Sequence, residues 1–176
     1  VLLNSLVFVV FFVIILGGCT EELNKGQNNG FSSDFPTFLV DRWETKGARW
    51  AFEFEPDGTI STFTHHTGVD FEVAHGGLTE QWTEDIEATY VLGPCEVEYD
   101  KDTNNLTVRI IIEYYTVKDL ANPRNSLEGR FWDILTGPVS KEDKTWTAQW
   151  TSGGEMFEGA SGETVKDIVF KKVDLP

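Results

Sequence analysis

Apolar and polar residues alternate with a period of two through most of the chain after residue 37. The segment Trp50–Glu55 (WAFEFE) places an aromatic side chain at every second position, and Ala51, Glu53 and Glu55 occupy the alternate positions. Successive side chains of a β-strand point to opposite faces, so this segment predicts a strand with one buried aromatic face. The alternation returns in Leu106–Tyr115, over a length that indicates a long twisted strand, and in Thr145–Thr151. The sequence therefore predicts antiparallel β-structure.

Turn residues separate these segments at hairpin spacing. Pro56-Asp57-Gly58 follows the first segment, and Thr59–His65 returns as the second strand. Asp100–Asn105 and Lys141–Lys144 are polar turns of the same kind. The remaining strand candidates are Val69–Ala74, Ala88–Leu92, Glu96–Asp100 and Val165–Val173, the last with Ile168 and Phe170 facing inward.

One segment has helical spacing. Leu78, Trp82 and Ile86 recur every four residues, which predicts a short helix or a loop across an opening. A set of about eight strands without a βαβ rhythm must close or stack to protect its edges. The expected fold is all-β, and a small antiparallel up-and-down barrel of about eight strands fits the bulky inward side chains best. A β-sandwich is the alternative.

Two hairpins carry a resemblance to a known family. The first is Trp43 followed by Phe52–Thr59 (FEFEPDGT), and the second is Leu135–Ser140, a polar turn and Thr145–Trp150. They resemble the first and the penultimate hairpin of small bacterial lipocalin-like domains. The resemblance implies a lipocalin-like barrel domain over residues 37–176, a fold whose interior is either filled by side chains or holds one small ligand.

The first 18 residues have the pattern of an export signal. Leu6–Leu16 holds eleven uninterrupted apolar residues, fewer than the roughly 20 that a membrane-spanning helix needs. Leu16-Gly17-Gly18-Cys19 resembles a bacterial lipobox, in which the cysteine thiol receives diacylglycerol and becomes the new N-terminus. We expect residues 1–18 to be the signal helix of a lipoprotein, continuing upstream of Val1 because no Met or basic region precedes it. An ordinary signal peptide or a short anchor helix is the alternative.

Residues 19–36 are polar and rich in Asn, Ser and Gly, which predicts a flexible tether between the lipidated Cys19 and the barrel. The expected location is an exported lipoprotein held at a membrane, at the outer membrane in a Gram-negative cell because residue 20 is Thr rather than Asp. With Cys19 lipidated, Cys95 has no cysteine to pair with, and it is interpreted as a small buried hydrophobe.

The charge of the chain excludes one class of partner. There are 29 acidic and 14 basic residues, a net charge of −15. Such a surface repels phosphate backbones, so nucleic acid is not expected as a partner.

Known catalytic and metal motifs are incomplete. His65 and His66 are adjacent and would point to opposite faces of a strand, so all three histidines, with His75, are interpreted as turn or surface residues. Asp100, Asp102 and Asn104 begin like a calcium loop, but Ile111 stands where its last carboxylate belongs. Gly159–Gly162 (GASG) lacks the final glycine of a nucleophile elbow. We therefore predict no catalytic residue, no metal and no cofactor.

Six tryptophans give the one positive indication of function. Trp50, Phe52, Trp146 and Trp150 are the candidate ligand-binding residues, and core packing is the alternative role for them. The leading hypothesis is a monomeric, non-enzymatic envelope lipoprotein whose barrel binds a small apolar or aromatic-stacking ligand. The alternative is a protein-interaction or inhibitor module, binding an envelope or secreted protein through Gly68–Trp82 and Lys118–Ser126. An acid-catalysed hydrolase has no motif to support it.

Overall fold

The computed structural model of the chain describes residues 35–155 and 164–173, and for residues 164–166 it describes the backbone alone. The expected signal helix, Cys19, the tether up to residue 34 and the segment 159–162 lie outside the described residues.

Ten antiparallel strands make up the described structure. They are β1 Asp41–Thr45, β2 Ala51–Phe54, β3 Ile60–Thr64, β4 Asp70–Glu72, β5 Gly77–Thr83, β6 Ile86–Asp100, β7 Asn105–Asp119, β8 Leu127–Ser140, β9 Thr145–Gly154 and β10 Thr164–Lys172. The two helices among the described residues are single 3₁₀ turns, Val73–His75 and Pro123–Asn125. In this part of the chain, no helix has the length and apolar character needed to cross a bilayer.

The strands form one nearly closed up-and-down barrel. Their order in the sheet is β4-β3-β2-β1-β10-β9-β8-β7-β6-β5, so the first and last strands of the chain pair with each other and β4 and β5 are the two edges. Strand β3 lies against β6, and β4 lies against β5, which brings the edges together. The predicted all-β antiparallel barrel is confirmed. The predicted number of about eight strands is wrong, because there are ten.

The segment with helical spacing accounts for part of that difference. Leu78 and Trp82 lie in β5 and Ile86 begins β6, so the segment predicted as a short helix or a loop is a hairpin whose backbone groups pair across the two strands. The weak candidates at 88–92 and 96–100 are parts of the single long strand β6. The hairpin turns predicted at residues 100–105 and 141–144 are confirmed. Asp100 accepts hydrogen bonds from the backbone N–H groups of Asp102 and Thr103 in its own turn (2.9 and 3.4 Å), so its carboxylate has a structural role there.

Aromatic rings fill the barrel at the end formed by the β2–β3, β6–β7 and β8–β9 turns, here called the filled end. Trp146 stacks on Phe170 at a centroid distance of 4.4 Å, and Phe52 and Phe54 stack at 5.9 Å. The segment 35–40, before β1, covers these rings: Trp43 Nε1 donates a hydrogen bond to the Leu39 carbonyl oxygen (2.8 Å). The core on this side is therefore solid.

Candidate functional site

The four residues predicted to bind a ligand belong to one aromatic cluster. Trp50, Phe52 and Trp146 are almost completely buried, and Trp150 is partly buried. Trp50 stacks on Phe52 at 5.6 Å and meets Trp150 edge-on at 5.9 Å. Phe52 in turn contacts Trp146 at 6.2 Å. These side chains pack against one another and fill the middle of the barrel.

A cavity of about 490 Å³ lies beyond this cluster, at the end of the barrel opposite the filled end. It opens to solvent, and we call this side the cavity end. Five strands and the β3–β4 turn contribute its walls. The lining residues are His65, His66, Thr67, Trp82, Tyr90, Tyr115, Phe131, Asp133, Ser152, Gly153 and Gly154. Trp50 and Trp150 stand directly behind this lining, with ring centroids 5.7 and 4.6 Å from that of His66.

Irregular strand pairing shapes the cavity wall. The register between β7 and β8 shifts between Ile112 and Tyr115, so the inward positions change from even to odd residue numbers. Tyr115 therefore lines the cavity, whereas Tyr114 points outward and is 44% exposed. A bulge of this kind commonly redirects a side chain near a binding site. The alternation of Leu106–Tyr115 alone predicts the opposite placement of the two tyrosines.

A closed hydrogen-bond network runs beneath the cavity. Asp133 is buried and accepts from Trp150 Nε1 through Oδ1 (2.7 Å). Its Oδ2 lies 3.2 Å from His65 Nε2. The Thr67 backbone N–H reaches His65 Nδ1 at 3.4 Å, and the Thr67 hydroxyl lies 2.8 Å from the same nitrogen. Because Nδ1 accepts from the backbone, we assign the proton to Nε2, which donates it to Asp133.

His65 is therefore not the surface residue that the sequence predicts. It is 4% exposed, and its partner Asp133 is distant in sequence. The interpretation of His75 is confirmed, since its side chain is exposed and pairs with Glu72 at 3.3 Å. The sequence around His65 gives no indication of this hydrogen bond, because Asp133 lies on the distant strand β8.

His66 lies between aromatic rings at the edge of the cavity. Its ring centroid is 4.1 Å from that of His65 and 4.6 Å from that of Trp150. The pKa of His66 is lowered to about 4, chiefly by burial and also by the neighbouring His65, while Asp133 opposes both. The imidazole is neutral at pH 7, with one N–H donor and one nitrogen acceptor.

Two phenols face the cavity from neighbouring strands. Tyr90 of β6 and Tyr115 of β7 are opposite each other in the register, with ring centroids 5.0 Å apart. Burial raises the pKa of both hydroxyls, and for Tyr90 the nearby Tyr115 and Glu80 raise it further. Both side chains are therefore neutral at pH 7 and present O–H donors.

The lining does not assemble a nucleophile or a metal site. Ser152 is opposite Asp133 in the β8–β9 register, but both nitrogens of His65 are engaged by Asp133 and Thr67. Within residues 35–155 and 164–173, no three His, Cys, Asp or Glu side chains converge as ligands for one metal ion. The arrangement is suited to holding a molecule between aromatic walls and neutral hydrogen-bonding groups.

A second cleft, of about 520 Å³, lies at the filled end and has a different character. Lys172 contributes to its wall, and its ammonium group is held by Asp41 (3.2 Å) and by the Phe38 carbonyl oxygen (3.1 Å). Lys141 lies over the Phe38 ring, 5.5 Å from its centroid. These cations are engaged in covering the barrel.

Comparisons of the chain with protein-family models, with curated proteins and with solved structures find no match. The function proposed below therefore rests on the geometry and chemistry of the cavity.

Proposed function

We propose that the protein is a non-enzymatic, lipocalin-like binding module that holds a small, mostly apolar ligand at the cavity end of its barrel. The observation that carries the proposal is the open cavity of about 490 Å³, whose lining includes the rings of Trp82, Tyr90, Tyr115 and Phe131. Pockets for small molecules typically have volumes of about 300–1,000 Å³, and are largely apolar with a few polar groups that fix orientation. The cavity agrees with each of these properties.

The cluster behind the lining supports a preformed site. Trp150 is fixed by its hydrogen bond to Asp133, and Trp50 is fixed by stacking on Phe52. A ligand that enters such a site releases water from aromatic surfaces without reorganising the barrel, which lowers the cost of binding.

The location expected from the sequence is part of the proposal. An acylated Cys19 would hold the barrel at a membrane, with the cavity available to molecules of the cell envelope. Metabolic labelling with a fatty-acid analogue tests this: the wild-type protein should take up the label, and Cys19→Ser should not. Equal labelling of the two proteins would contradict the anchor.

Binding of the neutral solvatochromic dye Nile red tests the cavity itself. We expect a saturable blue shift of its emission with the wild-type barrel. Ser152→Phe places a ring in the cavity and should weaken binding at least tenfold. Gln149→Phe is the matched control, because Gln149 is on the same strand but exposed, and its dye binding should match the wild type.

Two results would contradict the proposal. One is the absence of a saturable signal from the wild-type protein up to millimolar concentrations of barrel. The other is equal dye binding by Ser152→Phe and Gln149→Phe, because the dye would then bind the outer surface. Thermal unfolding of both variants establishes that the comparison is made between folded proteins.

A protein-interaction or inhibitor module is the second candidate function, and one observation favours it. Tyr114, Leu127 and Trp132 on β7 and β8 are 44%, 42% and 38% exposed, which is unusual for large apolar side chains. Under this alternative, Trp132→Gln would abolish binding to the partner and Ser152→Phe would leave it unchanged. The first candidate predicts the reverse pattern for the ligand.

A further inference from the structure

The hydrogen-bonding groups of the cavity divide into those already paired and those available to a ligand. Asp133 is the one carboxylate in the lining, and both of its oxygens are engaged, by Trp150 and by His65. His65 is engaged on both nitrogens as well. This network is buried and each carboxylate oxygen already has a donor, so little of it is exposed to a ligand.

The available groups are all neutral. Within the described part of the chain, no residue hydrogen-bonds to the hydroxyls of Tyr90 and Tyr115, to the ring nitrogens of His66 or to the hydroxyl of Ser152. Three of these four side chains are aromatic rings, so they present flat apolar faces together with O–H and N–H donors. A donor in an apolar cavity is costly when it has no acceptor, and a ligand oxygen would supply one.

We infer that the cavity selects an uncharged, flat ligand with a carbonyl-type oxygen, which accepts a hydrogen bond from Tyr90 or Tyr115 while the ligand's rings pack against the aromatic walls. This inference rests on the proposed binding function and adds the chemical class of the ligand.

Charged ligands are disfavoured for two reasons. A carboxylate entering the cavity would lose its hydration with no cation in the lining to pair with it, and the net charge of −15 opposes its approach. An ammonium group would also lose its hydration, and the one carboxylate in the lining, Asp133, is only 1% exposed and already has a partner on each oxygen. The same environment that raises the pKa of Tyr90 and lowers that of His66 keeps these groups uncharged.

Four probes with one ring system test the inference. They are 2-acetylnaphthalene, a neutral ketone; naphthalene, which lacks the oxygen; 2-naphthoate, a nearly isosteric anion; and 2-naphthylmethylammonium, a cation. Affinities are measured by isothermal titration calorimetry with the wild-type barrel at pH 7. We expect the ketone to bind about 3- to 10-fold more tightly than naphthalene, as one neutral hydrogen bond provides, and at least tenfold more tightly than either ion.

Matched variants identify the donor. Tyr115→Phe and Tyr90→Phe remove one hydroxyl each and keep the ring. We expect at least one of them to reduce the affinity for 2-acetylnaphthalene to that of naphthalene, without changing the affinity for naphthalene. Tyr99→Phe is the control, since Tyr99 lies on the same strand as Tyr90 but its hydroxyl donates to Asn104 (2.9 Å) at the filled end.

The outcomes separate this inference from the proposed function. If none of the four probes nor Nile red binds, the binding function itself is wrong. If naphthalene binds as tightly as the ketone, or if either ion binds more tightly, the cavity binds ligands but the inferred class is wrong. If the ketone preference survives in the double variant Tyr90→Phe/Tyr115→Phe, the phenols are not its donors. The probe comparison uses the wild-type protein, so it stands even if a variant fails to fold.

Discussion

The two ends of the barrel use the same aromatic residue types for different purposes. At the filled end, Trp146 and Phe170 are fully buried and stacked, and the indole N–H of Trp146 donates a hydrogen bond to the Gly137 carbonyl oxygen (3.2 Å). At the cavity end, Tyr90 and Tyr115 have neighbouring rings but surround empty space, and a buried His65–Asp133 pair lies beneath them. The filled end is an apolar core, whereas the cavity end combines a buried polar pair with aromatic rings that line an open cavity.

The pairing of β7 with β8 differs between the two ends. Leu106, Val108 and Ile110 alternate without interruption and are completely buried, so their half of β7 presents a continuous apolar face. The register shift after Ile112 ends that regularity at the cavity end. A bulge bends its strand and increases the local twist, which separates inward side chains that would otherwise interdigitate. On this pair of strands, regular pairing accompanies the solid interior and the register shift accompanies the cavity.

The line where the two edges of the sheet meet, here called the seam, also differs from the rest of the barrel wall. Strands β3 and β6 lie against each other there, and Phe71 of β4 contacts Tyr90 of β6 edge-on at 5.4 Å. The other neighbouring strands are joined by ladders of backbone hydrogen bonds. Tyr90 therefore belongs both to the seam and to the cavity lining, which places the cavity where the wall depends on side-chain contacts.

The largest expected effect on stability comes from removing a buried aromatic side chain at the filled end. Trp146→Ala removes a completely buried indole that stacks on Phe170, and we expect a loss of about 3–5 kcal/mol in the free energy of unfolding. Trp82→Ala is the matched change at the cavity end. Because Trp82 is 47% exposed, its loss should cost less than about 1 kcal/mol. Urea unfolding at pH 7 measures both. Similar losses in the two variants would contradict the division between a solid end and an open end.

Acidic pH should act on the cavity end with a smaller effect. The pKa of His66 is lowered from 6.5 to about 4 in the folded state, so between these pH values the unfolded chain binds a proton that the folded barrel does not. The contribution of neutral His66 to the free energy of unfolding is therefore fully present above pH 6.5, and it is lost as the pH decreases towards 4. The ring is half-buried, so solvent screening reduces the expected loss to about 1–2 kcal/mol.

A pair of histidine variants isolates this contribution. His66→Gln should flatten the decrease in unfolding free energy between pH 6.5 and 4. His75→Gln should retain it, because His75 is exposed in the β4–β5 connection. If the two variants show the same pH profile, the acid sensitivity arises elsewhere in the molecule.

The sequence predicts the filled end better than the cavity end, for a physical reason. Alternation and turn residues are local signals, and they correctly indicate strands, hairpin turns and the inward orientation of Ile168 and Phe170. The cavity depends on a register shift and on partners distant in the chain. His65 is buried because Asp133 lies opposite it across the barrel, and no pattern around residue 65 reports this.

A spacing of apolar residues also misleads when it fits both a helix and a hairpin. Leu78, Trp82 and Ile86 fit one face of a helix, yet they belong to the β5–β6 hairpin. The hydrogen bonds of that pairing decide the structure, while the four-residue spacing of apolar residues is compatible with both. Tyr114 and Tyr115 are a second example. The sequence continues to alternate through them, but the register shift exchanges their inward and outward orientations.

Trp50 stands at the boundary between the two ends, and it offers the smallest and most discriminating test. It stacks on Phe52 towards the filled end and contacts His65 edge-on at 4.8 Å towards the cavity. Among the described residues its Nε1 is buried without a hydrogen-bond partner, whereas Trp146 Nε1 has one. Trp50→Phe removes an unsatisfied donor together with part of a ring, so the two effects should offset each other to within about 1 kcal/mol. Trp146→Phe loses both a ring and a hydrogen bond, and it should cost about 1.5–3 kcal/mol in the same urea titration. Equal losses would show that the Trp50 N–H is satisfied in solution, and that the boundary between the two ends is as well bonded as the filled end.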